Sequence, residues 1–298
     1  MTIGIVGFGR MGEPAARRLA RKASVLIWDA SQEVRRHAAS SGFAVAGRCS
    51  EIGRNAHIVM LFLPGPLEVE QVVAGEGGLL TAMNPGSVIV DLSTVGPSSS
   101  QRNARVAEQH GIGYIDAPVL GRPQACGEWT LPVGGDPDTL ERVRPYLEAI
   151  ARRIVHVGPV GSGDAVKLLN NLIFASINVI AAEVMSICAR AGVDPKTFFD
   201  VVSTSNAATV SPLFLELGAK ILAEDFTPIF TIDLLNKDIS LGITMAREHG
   251  IFPIASMTNL LVTEMARGIG MGSKDTAALV SLYEHLWGRS ASIVSLQG

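Results

Sequence analysis

The chain has 298 residues, 47% of them apolar, and its 25 basic and 28 acidic residues give a formal net charge of −3. This length and apolar content suffice for one large or two ordinary globular domains. The charges are spread along the chain without a polybasic run, which argues against nucleic acid as a partner.

The cysteines and histidines do not form a pattern that is typical of a disulfide framework or a metal site. Cys49, Cys126 and Cys188 stand at unrelated spacings, and the six histidines have no acidic or cysteine partners at ligand spacing. The N-terminus lacks the basic region, apolar run and cleavage site of a signal peptide. We therefore expect a cytoplasmic protein with no bound metal.

Short apolar runs alternate with helical patterns in the first half of the chain. The helical patterns lie at 10–21, 31–41 and 97–110, and in the last of them Pro97 suits the first turn and the nearby serines suit a cap. Such alternation predicts parallel strands joined by crossover helices, a doubly wound α/β sheet. Strands are predicted at residues 3–6, 24–28, 57–63, 87–93, 113–118, 129–135 and 153–158.

The pattern becomes almost purely helical after Asp164. A glycine- and proline-rich segment, "GPVGSG", lies where the composition changes, so we expect a sheet domain over 1–162 and an all-α domain over 163–298. A long helix that begins near Gly163 should join the two. We expect the "GSG" in this segment to let the chain leave the sheet and approach a ligand.

This helix is apolar over about 165–189 but contains Lys167, Glu183 and three asparagines. These side chains would be unfavourable in hydrocarbon, so we expect a helix buried in soluble protein rather than a membrane span.

The stretch "GFGRMG" places three glycines between the first strand and the first helix. Gly7 suits a tight turn, Gly9 lets backbone approach a pyrophosphate, and Gly12 lets the helix pack on the sheet. The pyrophosphate then lies at the helix N-terminus. This is a Rossmann-type dinucleotide site, and its predicted cofactor-binding residues are Gly7, Phe8, Gly9, Arg10, Met11 and Gly12.

Asp29 ends the second predicted strand, twenty residues after Gly9. At this distance a carboxylate accepts hydrogen bonds from the adenosine ribose, which favours NAD over NADP, although NADP stays possible. The alternative is that Asp29 caps the following helix. Arg35 and Arg36 are interpreted as a solvated helix face.

The long helix places Lys167, Asn171, Phe174 and Asn178 on one face, at spacings of four, three and four. A lysine within reach of a carbonyl donates a proton to the alkoxide that hydride transfer leaves, and in reverse the neutral amine removes it. Burial near an oxidised nicotinamide should lower the lysine pKa. The alternative is that Lys167 extends to solvent from a core helix and that the asparagines bond to neighbouring helices.

Four blocks, in order, resemble the β-hydroxyacid dehydrogenase family, which is typified by 3-hydroxyisobutyrate dehydrogenase. They are "GIVGFGRMGEPAARRL", "DAPVLGRPQACGEWTLPVGGD", "GPVGSGDAVKLLNN" and "LLNKDISLGITMA". The resemblance covers nearly the whole chain. It implies that Lys167 is the catalytic lysine and Asn171 its helper, and that Lys237 contacts nicotinamide or substrate with Asp238 close by. It also suggests that Leu63, Pro64 and Thr94 border the nicotinamide.

The second block departs from the family pattern, which usually reads Ser-Gly-Gly where this chain has Leu120, Gly121 and Arg122. Arg122 is suited to a carboxylate, sulfonate or phosphate, or else it points to solvent or to a neighbouring element. Trp129 either narrows the same pocket or packs in the core. The expected substrate-binding residues are Ser93, Leu120, Gly121, Arg122, Asn171 and Asp238.

The sequence thus predicts an NAD-preferring oxidoreductase that interconverts a small β-hydroxy acid and its semialdehyde or keto acid. The alternatives are an imine reductase and a catalytically silent nucleotide-binding module of the same fold. The apolar faces of the helical half, which would serve substrate binding and oligomerisation, predict a homodimer or homotetramer. The expected ligand is a small anionic substrate, with no membrane partner.

Overall fold

The structure, a computed structural model, describes residues 1–205 and 211–287. Eight strands form one sheet in the order β3-β2-β1-β4-β5-β6-β7-β8. They are β1 Thr2–Val6, β2 Ser24–Trp28, β3 Ala44–Val45, β4 Ile58–Leu61, β5 Val88–Asp91, β6 Gly113–Asp116, β7 Trp129–Gly134 and β8 Ala151–Gly158. All seven predicted strands are present, and the two-residue β3 is too short to show in the sequence pattern.

The strands pair in parallel except β6 and β7, which meet in antiparallel fashion at Asp116 and Gly134. The physical reason is that the connection between β6 and β7 contains only a short 3₁₀ turn, at Pro123–Ala125, and no α-helix. A parallel return needs a longer crossover, usually a helix.

Six α-helices accompany the strands, and both faces of the sheet carry a hydrophobic core. Ile3, Ile5 and Met60 belong to one core, whereas Val59 and Leu61 belong to the other. Strands that are buried on both faces are typical of a doubly wound sheet, which confirms the predicted α/β class. The helices are α1 Gly12–Leu19, α2 Gln32–Ser40, α3 Cys49–Asn55, α4 Pro66–Ala74, α5 Pro97–Gln109 and α6 Pro137–Leu147.

The helix caps confirm one prediction and correct another. Pro97 lies in the first turn of α5 as predicted, but the N-cap is Gly96 and no side chain caps the helix. The predicted serine cap is therefore wrong.

The regular elements described beyond β8 are helices, as predicted. The helices are α7 Ser162–Arg190, α8 Pro195–Thr204, α9 Pro212–Leu222, α10 Ile232–Glu248, α11 Ile254–Gly268 and α12 Leu279–Trp287. Contacts divide the chain into two units, Met1–Leu168 and a second that begins at Leu169. The division lies six residues beyond the predicted boundary at 162, because the first turns of α7 contact the sheet unit.

Helix α7 supplies much of the core of the helical unit. Ala175, Val179 and Ala182 of α7 pack with Leu235 and Ile239 of α10. Among the described residues α7 alone is long and apolar enough to cross a bilayer, with a mean hydropathy of 2.0 over 18 residues, and half of that window is buried. Core helices share this length and composition.

Candidate active site

The glycine loop between β1 and α1 has the three properties expected of it. Gly7 has φ +93°, and a Cβ there would overlap the Phe62 carbonyl. A Cβ on Gly12 would overlap the Gly7 carbonyl, so the start of α1 packs directly on the turn. Gly9 faces open space, with no atom of the described residues within 4 Å of its Cβ position. This surface fits a ligand that approaches the backbone, as the pyrophosphate of a dinucleotide does.

The N-terminus of α1 is also suited to an anion. Met11 is the N-cap and makes no side-chain capping bond. The N–H of Glu13 in the first turn bonds to the Gly9 carbonyl (3.0 Å), and the positive end of the helix dipole is directed at the loop surface. Arg10 beside it is exposed.

Asp29 lies beside this loop rather than capping α2. Its Oδ2 accepts from the backbone N–H of Phe8 (2.8 Å) and its Oδ1 from that of Ser31 (2.9 Å). Ser31 is the N-cap of α2 and accepts from the N–H of Val34. The alternative role of Asp29 as the helix cap is therefore wrong, and its half-buried carboxylate is held at the glycine loop.

The sequence suggested that Arg35 lies on a solvated helix face, but the structure shows otherwise. Arg35 is half-buried, and its Nη1 donates to the backbone carbonyls of Asp29 and Ala30. A guanidinium thus lies next to Asp29, the residue that the sequence assigns to the ribose. Arg36 is exposed, as expected.

The loops that follow β4 and β5 are tied together at the carboxyl edge of the sheet. The N–H of Leu63 donates to Ser93 Oγ (2.9 Å), and the N–H of Ser93 donates to Asp91 Oδ1 (2.9 Å). Tyr114 donates its hydroxyl to Asp91 Oδ2 (2.7 Å), and burial raises the pKa of that carboxyl. Ser93 is 4% exposed, so the structure gives it a role in holding this edge.

The residues predicted to border the nicotinamide follow the same strands. Leu63 and Thr94 are half-buried and Pro64 is exposed. All three lie at the carboxyl ends of β4 and β5, where an open parallel sheet binds its ligand.

Lys167 lies in the second turn of α7 and is half-buried. Its Nζ donates to the backbone carbonyl of Val119 (2.8 Å), which directly precedes the atypical Leu120-Gly121-Arg122 segment. The alternative in which the lysine extends to solvent is therefore wrong.

The backbone of this segment is fixed by its neighbour β7. Leu120 pairs with Thr130 through two backbone hydrogen bonds, and Trp129 Nε1 donates to the carbonyl of Arg122 (2.7 Å). A Cβ on Gly121 would lie 2.5 Å from the Trp129 ring, so glycine is required there. Trp129 is fully buried, so of the two alternatives for this residue the structure supports packing in the core. Arg122 is exposed.

Asn171 belongs to a polar cluster in the helical unit. Its Nδ2 donates to Asp238 Oδ2 (2.5 Å), and Lys237 Nζ lies 2.9 Å from Asp238 Oδ1. Asn170 donates to Asn171 Oδ1 (3.1 Å). Asn171 and Asp238 are 5% and 2% exposed, so α7 and α10 bring together three residues that the sequence assigned to the site.

The rest of the predicted polar stripe serves the helix core. Phe174 packs edge-on against Phe230, with ring centroids 5.5 Å apart. Asn178 is 1% exposed and donates to the Phe174 carbonyl of its own helix (2.7 Å). Asn178 therefore lies in the interior of the helical unit and bonds within its own helix, not to a neighbouring one.

The sequence interpretation missed Asp116, at the end of β6. Its carboxylate is fully buried and accepts from the N–H groups of Gly161 (2.7 Å) and Asp164 (2.9 Å). The "GSG" that was expected to approach a ligand surrounds this carboxylate instead. The "DAP" that begins with the last residue of β6 was the available signal, since it places a carboxylate at the end of that strand, next to the start of α7.

Two family models match the chain. The NAD binding domain of 6-phosphogluconate dehydrogenase matches residues 2–158, and the NAD-binding of NADP-dependent 3-hydroxyisobutyrate dehydrogenase matches residues 161–283. The chain belongs to the β-hydroxyacid dehydrogenase family. This confirms an NAD(P)-dependent oxidoreductase with a Rossmann-type domain and a helical domain.

The similarity extends over whole chains. 2-(Hydroxymethyl)glutarate dehydrogenase from Eubacterium barkeri is 32% identical over 97% of each chain. 3-Sulfolactaldehyde reductase from Escherichia coli is 27% identical over 98% of each. The crystal structure of 3-hydroxyisobutyrate dehydrogenase from Salmonella typhimurium has a TM-score of 0.84 at 27% identity, covering 95% of this chain and 99% of that one.

Proposed function

We propose that this enzyme interconverts a small β-hydroxy acid and its semialdehyde or keto acid, prefers NAD, and uses Lys167 as general acid and base. The observation that carries the proposal is the hydrogen bond from Lys167 Nζ to the Val119 carbonyl (2.8 Å). It puts a titratable amine beside the segment that corresponds to the substrate block of the family.

The nicotinamide supplies the hydride acceptor or donor when it is bound. The role of Lys167 is then to move one proton at Nζ, which takes it from the substrate hydroxyl during oxidation and returns it during reduction. Asn171, one helical turn further along α7, has its amide held by Asp238 (2.5 Å). A fixed amide of this kind is suited to orient the reacting oxygen.

The proposed NAD preference depends on Asp29. Its carboxylate is held at the glycine loop by Phe8 (2.8 Å), where it would accept from the ribose hydroxyls and repel a 2′-phosphate. Arg35 lies beside it and is the residue that would support NADP instead.

We also propose that Arg122 binds an anionic group of the substrate. Its backbone is pinned by Trp129 (2.7 Å), three residues after the carbonyl that holds Lys167. Its guanidinium is suited to bidentate binding of carboxylate, sulfonate or phosphate. Two relatives are named for substrates with an additional carboxylate or a sulfonate, which supports the same class here.

The deciding experiment is a screen that follows the absorbance of the reduced nicotinamide with NAD and NADP in parallel. The panel contains hydroxy acids and semialdehydes with one carboxylate, with two, or with a sulfonate or phosphate, and one cyclic imine. Turnover of the imine alone would favour an imine reductase. Binding of NADH without turnover of any compound would favour the silent module.

The role of Lys167 is tested with Lys167→Ala on the best substrate of the screen. Turnover should fall by roughly 10²–10⁴-fold, the usual contribution of a general acid or base, while NADH binding is kept. Lys22→Ala is the matched control, because Lys22 also donates from Nζ to a backbone carbonyl in the sheet unit, that of Pro145 (3.1 Å). Equal turnover of the two variants would refute the proposal.

Arg122 is tested with Arg122→Ala and Arg122→Lys. The alanine variant should raise the KM of a substrate with an extra anionic group and leave a monocarboxylate less affected, and lysine should restore part of the loss. Normal turnover and KM in Arg122→Ala would remove the anion-binding role.

We further propose that the helical unit forms a homodimer or homotetramer. Leu169, Ile173, Ile180 and Ile187 of α7 are 52–64% exposed and share one helix face. An exposed apolar stripe of this length is typical of a subunit interface. Ile180→Glu should lower the mass measured by light scattering, and an unchanged mass would place the interface elsewhere.

A further inference from the structure

Asp116 connects the end of β6 to the beginning of α7. Its side chain is fully buried, its Oδ1 accepts from the N–H of Gly161 (2.7 Å), and its Oδ2 accepts from the N–H of Asp164 (2.9 Å). Gly161 precedes α7 by one residue and Asp164 lies in its first turn. A carboxylate that accepts from a helix N-terminus also interacts favourably with the helix dipole.

Three glycines enclose this carboxylate closely. A Cβ on Gly134 would lie 2.5 Å from Asp116 Oδ1, and a Cβ on Gly163 would lie 2.8 Å from Oδ2 and 2.5 Å from the Pro132 carbonyl. Gly161 has φ +95°, a conformation that other residues rarely adopt. Gly134 and Gly163 are therefore explained by the fit of Asp116, and Gly161 by its backbone conformation.

The chain after β6 and the first turns of α7 are joined by a second hydrogen bond, three residues further along each segment. Val119 is three residues after Asp116, Lys167 is three residues after Asp164, and the Lys167 ammonium donates to the Val119 carbonyl (2.8 Å). Two hydrogen-bonded connections thus close a small ring. Rotation or sliding of α7 at one connection must displace the other, because a helical turn is rigid over this distance.

We propose that Asp116 is a positioning residue whose carboxylate fixes α7 so that Lys167 Nζ is held against the Val119–Arg122 segment. This inference rests on the proposed catalytic role of Lys167. Asp116 acts through the backbone of α7, at Gly161 and Asp164.

The direct test is the reactivity of the Lys167 amine toward acetic anhydride, measured peptide by peptide with mass spectrometry. In Asp116→Asn one carboxylate oxygen becomes an amide that faces a backbone N–H donor. Hydrogen exchange at Gly161 or Asp164 and acetylation of Lys167 should both become several-fold faster, whereas acetylation of Lys22 should not change. Turnover should fall by up to about 10²-fold, the effect of a displacement of about 1 Å, with the Kd of NADH unchanged.

Two further variants make the test decisive. Asp136→Asn is the matched control, because Asp136 accepts from the N–H of Thr139 at the start of α6 (2.8 Å), a helix that does not carry Lys167. Gly163→Ala keeps the carboxylate but pushes on it, and should also speed acetylation of Lys167. Gly163→Ala replaces Asp116→Asn as the test if Asp116→Asn does not fold.

The inference is overturned if acetylation of Lys167 proceeds at the wild-type rate in the folded variants. Acetylation does not require turnover, so this failure is distinguishable from failure of the proposed function, which full activity of Lys167→Ala would show.

Discussion

Asp29 and Phe8 are joined by a 2.8 Å hydrogen bond from the backbone N–H of Phe8 to Asp29 Oδ2. The bond ties the end of β2 to the glycine loop, so the residue proposed to discriminate the ribose also supports the loop proposed to receive the pyrophosphate. An asparagine at this position removes the charge and keeps one of the two acceptor oxygens, which can still accept from Phe8, while its NH2 group then faces the N–H of Ser31.

Asp29→Asn should therefore keep the hydrogen bond to Phe8, lose the one to Ser31 and change the choice of cofactor. We expect kcat/KM with NADP to rise relative to NAD by about tenfold, or ~1.4 kcal/mol, since the 2′-phosphate no longer meets a like charge. Arg35→Ala in the same background should reverse part of this gain, because the Arg35 guanidinium lies beside Asp29. The check is steady-state kinetics with both cofactors, and an unchanged ratio would contradict the proposed role of Asp29.

Substitution by alanine should weaken cofactor binding at Gly9 and lower stability at Gly12. Gly9 faces open space, so Gly9→Ala should change the free energy of unfolding by only about 0.5 kcal/mol but raise the Kd of NADH roughly tenfold or more. Gly12→Ala overlaps the Gly7 carbonyl and should destabilise the protein by about 1–3 kcal/mol. Gly47→Ala, at a position with room for a Cβ, is the control. Tight NADH binding by Gly9→Ala would refute a backbone contact there.

Much of this site is predictable because its signals are local. The spacing of Gly7, Gly9 and Gly12 and the separation of Lys167 from Asn171 by one helical turn follow from regular geometry within one element. Asp116 was missed because its partners are 45 and 48 residues away. Such pairings depend on how strands and helices pack, which periodicity does not encode.

The same distinction explains the other corrections. Asp29 and Ser31 both suit a cap by residue type, and only the packing of the glycine loop assigns Asp29 to Phe8. The burial of Trp129 and its hydrogen bond to the Arg122 carbonyl depend on how β7 packs against the preceding segment, which no local pattern predicts.

Asn171 and Asn170 are adjacent in sequence but should differ in effect. Asn171→Ala removes the amide that donates to the buried Asp238 carboxylate (2.5 Å), whereas Asn170 is exposed. Hydrogen bonds to charged groups contribute about 1.5–3 kcal/mol, so kcat/KM should fall ~10- to 100-fold for Asn171→Ala. For Asn170→Ala, kcat/KM should fall by less than about threefold. Equal losses in the two variants would argue against a specific role for Asn171.

The helical unit should depend on the Lys220–Asp275 ion pair. The two side chains are 12% and 5% exposed with their charged atoms 3.0 Å apart, and Asp275 also accepts from the N–H of Ile229 (2.8 Å). Asp275→Ala leaves a buried ammonium without its carboxylate and should lower the free energy of unfolding by about 3–5 kcal/mol in urea titrations.

Lys196→Ala removes an exposed pair with Asp200 and should cost no more than about 1 kcal/mol. A similar loss in both variants would show that burial does not determine the contribution of the Lys220–Asp275 pair.

Asp164 should make the protein less stable as the pH rises. Its carboxyl is 1% exposed, and burial, with the nearby Asp116 and Asp91 carboxylates as further causes, holds its pKa well above the ordinary value. Below the unfolded pKa of about 3.9 both states are protonated, and above it the unfolded state releases a proton that the folded state keeps. Stability therefore falls with pH from about 4 upward, by at most ~1.4 kcal/mol per pH unit.

Asp164→Asn is neutral in both states and should escape this loss. Its free energy of unfolding relative to wild type should increase between about pH 4 and about pH 7 in urea titrations. Asp194→Asn should change in the opposite sense, because hydrogen bonds from Thr197 lower the pKa of Asp194 and its carboxylate stabilises the folded state only above the unfolded pKa. A difference between Asp164→Asn and wild type that stays constant across this range would mean that Asp164 has the same pKa in the folded and unfolded chains.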